Sequence, residues 1–171
     1  MTPRSPAGFN FHTDVTVRFA ETDAQGIAHN ATYLVWFEVA RIAYLAEHAG
    51  GYTALREQGL EALVVEAHLR YGAPARFDDR LRIHARVTDV RGARFRYEYA
   101  VTRGDQLVAE GWTAHACVDA VTFRPRRLPP ELREAIARAE GSSERPERAS
   151  QSARPTLAGR LQTGRRHSRR P

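Results

Sequence analysis

The stretch from Asn30 to Ala49 constrains this chain more than any other. Tyr33, Leu34, Val35, Trp36, Phe37, Val39, Ile42, Tyr44 and Leu45 spread over nearly the whole circumference of a helix that Gly50 and Gly51 end. A helix apolar all round is a buried one, so the rest of the chain must supply its cover. That rest alternates with period two. In Arg80 to Val87, Leu81, Ile83, Ala85 and Val87 point one way and Arg80, Arg82, His84 and Arg86 the other, and Phe95, Tyr97, Tyr99 and Val101 repeat the pattern over Ala93 to Val101. One face of such a sheet is buried and the other is wet.

Leu60 to Tyr71 supplies an earlier strand, and the turn Thr102-Arg103-Gly104-Asp105 leads into a long last one, Gln106 to Val121. A first strand is expected over Asp14 to Ala20 and a short helical turn over Tyr52 to Gln58. Pro129-Pro130 opens a terminal helix, Glu131 to Glu140. The order of strand, buried helix, four strands and short helix predicts an α+β fold, with one curved antiparallel sheet wrapped around a long central helix. A sheet covered on one side associates through an edge or its outer face, so a homodimer is expected, and a homotetramer beyond it.

The 171 residues suffice for one domain with a core and not for two ordinary ones. Cys117 is the single cysteine, which excludes an internal disulfide framework, and no Cys/His cluster has metal-ligand spacing. No metal and no cofactor are expected. With neither a signal-peptide run nor a membrane-length apolar stretch, a cytoplasmic location is expected. The net charge of +6 is not spread evenly: residues 1–140 hold 18 arginines against 18 acidic residues, whereas residues 141–171 hold 8 arginines against Glu144 and Glu147. The boundary is therefore set near residue 140, and residues 141–171, rich in Ser, Arg, Gly and Pro, are read as a disordered basic tail. Without interleaved aromatics such a tail supports weak, salt-sensitive attraction to anionic membrane surfaces and no specific nucleic-acid recognition. The chain has no lysine, which excludes Schiff-base and lysine-base chemistry.

The loop entering the long helix, Arg18 to Leu34, carries the chemistry. Asp23 stands seven residues before Asn30, close enough to the helix start for its carboxylate to share a site with free backbone N–H groups and the positive end of the helix dipole. Such a place suits a developing oxyanion. Gly26 permits a sharp turn or a close approach to a ligand, and Asn30 is a good N-cap type. His29, beside the helix start, is a candidate to orient substrate or handle a proton.

Asp23, Gly26, Ile27 and Tyr33, followed by Glu38 and Arg41 on the helix, resemble the signature of the 4-hydroxybenzoyl-CoA thioesterase family, which includes the acyl-CoA thioesterases associated with the Tol-Pal system. The blocks Tyr71 to Asp79, Val90 to Phe95 and Arg124 to Pro129 are similar too, so the resemblance covers residues 14–140. It implies a hotdog fold and hydrolysis of an acyl-CoA, in which coenzyme A is part of the substrate. With His29 and Asn30 at the helix start, the candidate catalytic set is Asp23, Gly26, Ile27, His29 and Asn30. By resemblance Asp23 either attacks the thioester carbonyl or activates a water. Tyr33 is implied on the acyl side, and Arg76, Arg91 and Arg94 are candidates for the phosphates of coenzyme A. Many relatives carry an aromatic residue before the histidine where this chain has Ala28, which predicts a wider pocket. An aryl-CoA substrate and a non-catalytic acyl-CoA-binding role are the alternatives.

Overall fold

The computed structural model describes residues 6–141, so the basic tail beyond Gly141 lies outside the described residues. Strands β1 (Phe11–Thr16), β2 (Leu60–Tyr71), β3 (Arg80–Arg91), β4 (Arg94–Arg103) and β5 (Gln106–Asp119) form one antiparallel sheet in the order β1-β3-β4-β5-β2. Helix α1 (Thr32–Ala49) crosses its inner face. Helices α2 (Gly51–Glu57) and α3 (Pro130–Ala139) pack at one end. This is the predicted curved sheet around a central helix.

The expected first strand is displaced toward the N-terminus. Val17 still exchanges backbone bonds with Asp78 and Asp79, but the next residues wind into a 3-10 turn, Phe19–Glu21, because the Glu21 carboxylate takes the Arg18 N–H at 2.8 Å. The last strand stops at Asp119 and not at Val121, since Asp119 Oδ1 gathers the N–H groups of Val121 and Thr122 into a turn. Helix α1 ends at Gly50, whose φ of +74° places it in the left-handed region and returns its N–H to Leu45.

Inward-facing aromatics hold α1 to the sheet. The ring of Phe37 stacks on Tyr99 with centroids 4.1 Å apart and planes 7° from parallel, and Tyr44 meets Tyr97 edge to face. Each buried ring contributes about 1.5–3 kcal/mol from area alone. Gly111 of β5 lies beneath Phe37, where a Cβ would sit 2.9 Å from the ring and 2.3 Å from the His68 carbonyl oxygen. The absence of a side chain there lets the helix approach.

One expectation about α1 is corrected. Tyr33, Trp36, Phe37, Ala40, Tyr44 and Leu45 are buried, but Leu34, Val35, Val39 and Ile42 are 41–51 % exposed. A single chain covers only the face of α1 turned toward the sheet. The sheet curls over one side of the helix and cannot reach the other. Strand β2 is likewise an edge, bulged between Val64 and Glu66, with Leu63, Val64 and Val65 exposed. No helix of the described residues is long and apolar enough to cross a membrane.

Candidate active site

The loop between the 3-10 turn and α1 is a small closed hairpin. Thr22 bridges to Ala28, the Asp23 N–H donates to the Ile27 carbonyl at 2.9 Å, and the Gly26 N–H returns to the Asp23 carbonyl at 2.9 Å. Gly26 has φ of +70°, which accounts for a glycine there. Its missing Cβ would meet no protein atom within 4 Å, so the turn and not crowding by the chain calls for it. The Asp23 carboxylate accepts the Gln25 N–H through Oδ1 at 2.8 Å, an Asx turn that fixes its direction.

Two further bonds join this hairpin to its surroundings: Ala28 N–H to the Ala75 carbonyl and His29 N–H to the Glu21 carbonyl, both 2.8 Å. Glu21 acts as the brace. Its carboxylate also pairs with Arg18 at 2.8 Å and accepts the Trp36 indole N–H at 3.3 Å, and these partners hold its pKa below the ordinary carboxylate value against the opposing pull of burial. Nothing in the sequence singled out Glu21; its neighbours are met only through the fold.

Asn30 does not cap the helix. Ala31 occupies the N-cap position in helical conformation and no side chain caps it, while the Asn30 carbonyl accepts the Tyr71 hydroxyl at 2.9 Å. The first turn is served instead by His29. Its carbonyl takes the Thr32 N–H at 2.9 Å, and its Nδ1 takes the Ala31 N–H at 3.2 Å. An imidazole whose Nδ1 accepts carries its neutral-state proton on Nε2, so His29 is a hydrogen-bond donor on its other edge.

Asp23, Ile27, Ala28, His29, Asn30 and Tyr33 form one wall of a cleft of about 670 Å³, and Tyr71, Gly72, Ala73 and Pro74 form the other. The rings of Tyr33 and Tyr71 meet edge to face at 5.1 Å, and burial raises the Tyr33 hydroxyl pKa. The far wall is held by Asp79, which accepts the Arg76 N–H at 2.8 Å and pairs with Arg103, whose guanidinium also reaches the Pro74 carbonyl. Tyr71, Asp79 and Arg103 were not singled out as site residues in the sequence. They are distant in the chain and join the cleft only through strand ends.

The proposed phosphate-binding arginines separate. Arg76 is exposed two residues beyond Pro74, at the cleft's end of the sheet. Arg91 and Arg94 flank the β3–β4 turn, at the other end of a strand roughly 35 Å long. Within one chain they do not belong to this cleft. Glu38 and Arg41 pair with each other on α1 at 3.3 Å. Among the described residues no group of three or more His, Cys, Asp or Glu side chains is placed to hold a metal ion.

An aspartate fixed by its own turn, a histidine donor and an uncapped helix N-terminus facing one cleft suit attack on a polarised carbonyl. Residues 17–136 match the thioesterase-like superfamily. The chain is 33 % identical over 130 residues, 75 % of its length and 94 % of the relative's, to the acyl-CoA thioesterase YbgC of Haemophilus influenzae. Among solved structures, the hypothetical protein TT1821 of Thermus thermophilus superposes with a TM-score of 0.71 at 32 % identity, covering 75 % of this chain and 98 % of that one. Slr0204 of Synechocystis, a 1,4-dihydroxy-2-naphthoyl-CoA thioesterase, gives 0.69 at 25 % identity, covering 74 % and 95 %. The chain therefore belongs to the thioesterase-like superfamily and is a hotdog-fold thioester hydrolase.

Proposed function

We propose that this thioesterase hydrolyses an acyl-CoA to the free acid and coenzyme A, with Asp23 as its catalytic carboxylate. The observation that carries the reading is the convergence of Asp23, His29 and the uncapped start of α1 on one cleft. The helix dipole and the His29 Nε2–H favour negative charge on the carbonyl oxygen as the thioester carbon becomes tetrahedral. Asp23 then acts in one of two ways. As nucleophile it bonds to the carbonyl carbon, the C–S bond breaks, the thiolate of coenzyme A takes up a proton, and water cleaves the resulting anhydride. As general base it takes the proton of a water that attacks the same carbon, the C–S bond breaks, and the proton passes on to the leaving thiolate.

A second copy completes the proposed substrate site. Among the described residues the outer edge of β2 is unpaired, and antiparallel pairing with the same strand of another copy sets the two chains end for end. The partner's Arg91 and the partner's Arg94 then lie at the same end of the joined sheet as Asp23, three to four strand spacings away, roughly 15–20 Å. That is a distance a phosphopantetheine arm spans. Arg76 of the same chain is the nearer candidate for a phosphate.

An aryl group is the second reading. The Tyr33–Tyr71 ring pair in the cleft favours a planar acyl group, and the Synechocystis neighbour is named for a naphthoyl-CoA. Thiol release across a panel of aliphatic and aryl CoA thioesters tests both. Asp23→Asn is expected to lower turnover at least 100-fold, within the roughly 10²–10⁴ typical of a positioned acid or base. Undiminished turnover in that variant removes Asp23 from the chemistry, and binding without thiol release from the native chain makes the protein a binding module. A single turnover in oxygen-18 water tests the nucleophilic role: label in the aspartate shows attack, with water opening the anhydride at the aspartyl carbon, whereas label only in the product acid fits the base or an anhydride opened at the acyl carbon.

A further inference from the structure

We infer that Tyr71 is a positioning residue: its hydroxyl sets which ring nitrogen of His29 carries the proton. Tyr71 ends β2, where it pairs with buried Ala109 of β5, and the Gly72 and Ala73 N–H groups that follow both donate to the Val108 carbonyl, at 2.8 and 3.0 Å. The tyrosine is therefore planted on the sheet and not on the loop it touches. From there its hydroxyl donates to the Asn30 carbonyl at 2.9 Å, across 41 residues of chain.

That carbonyl belongs to the same peptide unit as the Ala31 N–H, and a trans peptide is planar, with its C=O and N–H pointing to opposite sides. The Ala31 N–H donates to His29 Nδ1 at 3.2 Å. One rigid plane is thus held at both ends, by Tyr71 at its oxygen and by His29 at its nitrogen. The plane cannot turn without breaking the tyrosine bond, so the amide stays aimed at Nδ1. A carbonyl that accepts a hydrogen bond also makes the N–H of its own amide the stronger donor. Both effects keep Nδ1 an acceptor, which leaves the proton of the neutral ring on Nε2. The backbone of His29 is fixed from elsewhere: its N–H donates to the Glu21 carbonyl at 2.8 Å and its carbonyl takes the Thr32 N–H at 2.9 Å. What Tyr71 governs is the ring. Its own hydroxyl proton is committed to Asn30, so it acts through His29 and not as a donor to substrate.

Tyr71→Phe removes the hydroxyl and keeps the ring edge that meets Tyr33 at 5.1 Å. Imidazole nitrogen NMR on the full chain, above about pH 8 where an ordinary histidine is neutral, reads the tautomer directly, with His29→Gln to assign the signal. The native chain is expected to show a single Nε2–H form at His29, and Tyr71→Phe a mixture of the two forms. Turnover of a CoA thioester should fall with it by roughly 10- to 100-fold, the scale of a misaligned group. KM should be nearly unchanged, since the lost alignment serves the transition state. A native ring protonated on Nδ1, or the same Nε2–H form in both chains, overturns the inference whatever the turnover. The kinetic arm rests on the proposed role of His29 at the thioester carbonyl. Mixed tautomers with undiminished turnover uphold the link from Tyr71 to His29 and defeat that role instead.

Discussion

The Trp36 indole nitrogen donates to the Glu21 carboxylate at 3.3 Å, so the loop bearing Asp23 is tied to the second turn of α1 by a side chain outside the proposed catalytic set. The same carboxylate takes the Arg18 backbone and guanidinium groups. Glu21→Ala is expected to free the loop, lowering kcat roughly tenfold and stability by about 1–3 kcal/mol, the range for a buried donor left unsatisfied. Glu21→Gln, which keeps an acceptor oxygen, should recover most of the stability. Equal loss in both variants, followed by denaturant unfolding and steady-state kinetics, argues against the brace.

Gly26 can be examined independently, since a Cβ there meets no neighbour. With φ of +70°, any effect of Gly26→Ala comes from backbone strain, expected at about 1–2 kcal/mol, together with a displaced Asp23. Turnover should fall while the fold persists. Gly26→Asn, tolerated better in that region, should fall less.

Gly111→Ala sets the opposite case, because space and not φ is the limit. The new Cβ would press on the His68 carbonyl oxygen at 2.3 Å and on Phe37 at 2.9 Å. A loss of about 3 kcal/mol or more is expected, or failure to fold, as for other overpacked cores. A smaller loss with Phe37→Leu in the same chain would identify the ring as the main obstacle.

Acid should unfold the protein through two histidines. His115, buried against Phe95 and bonded through Nε2 to Thr113 at 2.8 Å, is held down to about 3, and His84, bonded to Thr102, to about 4, in both cases chiefly by burial. In the unfolded chain both return to about 6.5. Between those values the unfolded state binds more protons, so stability present above pH 6.5 falls as the pH drops toward 4. Each group contributes at most about 1.4 kcal/mol per pH unit. Urea unfolding at stepped pH checks this, and His115→Gln should reduce the slope; an unchanged slope assigns the effect elsewhere.

Much of the fold was legible because period-two runs such as Leu81 to Val87 and the apolar helix each have one low-energy placement, against each other. The turn that holds Asp23, Gly26 and His29 was legible as well, since a carboxylate, a turn glycine and an imidazole lie within seven residues and the turn closes on itself. Asn30 was misread as a cap because capping depends on which backbone the following residue adopts, and Ala31 is already helical. The placement of Arg91 and Arg94 could not be read from chain distance, because antiparallel strands carry neighbours in sequence to the far end of the sheet.

By itself, then, the sequence determined the elements, their order and the short-range chemistry of the Asp23 loop, all governed by contacts within a few residues. Tertiary structure alone decided what closes the cleft. Tyr71 reaches the Asn30 carbonyl from 41 residues away, and Asp79 with Arg103 braces the opposite wall across 24. It also decided which side of α1 stays bare. Periodicity reports that a face is apolar, but only the curvature of the sheet determines how far one chain can cover it.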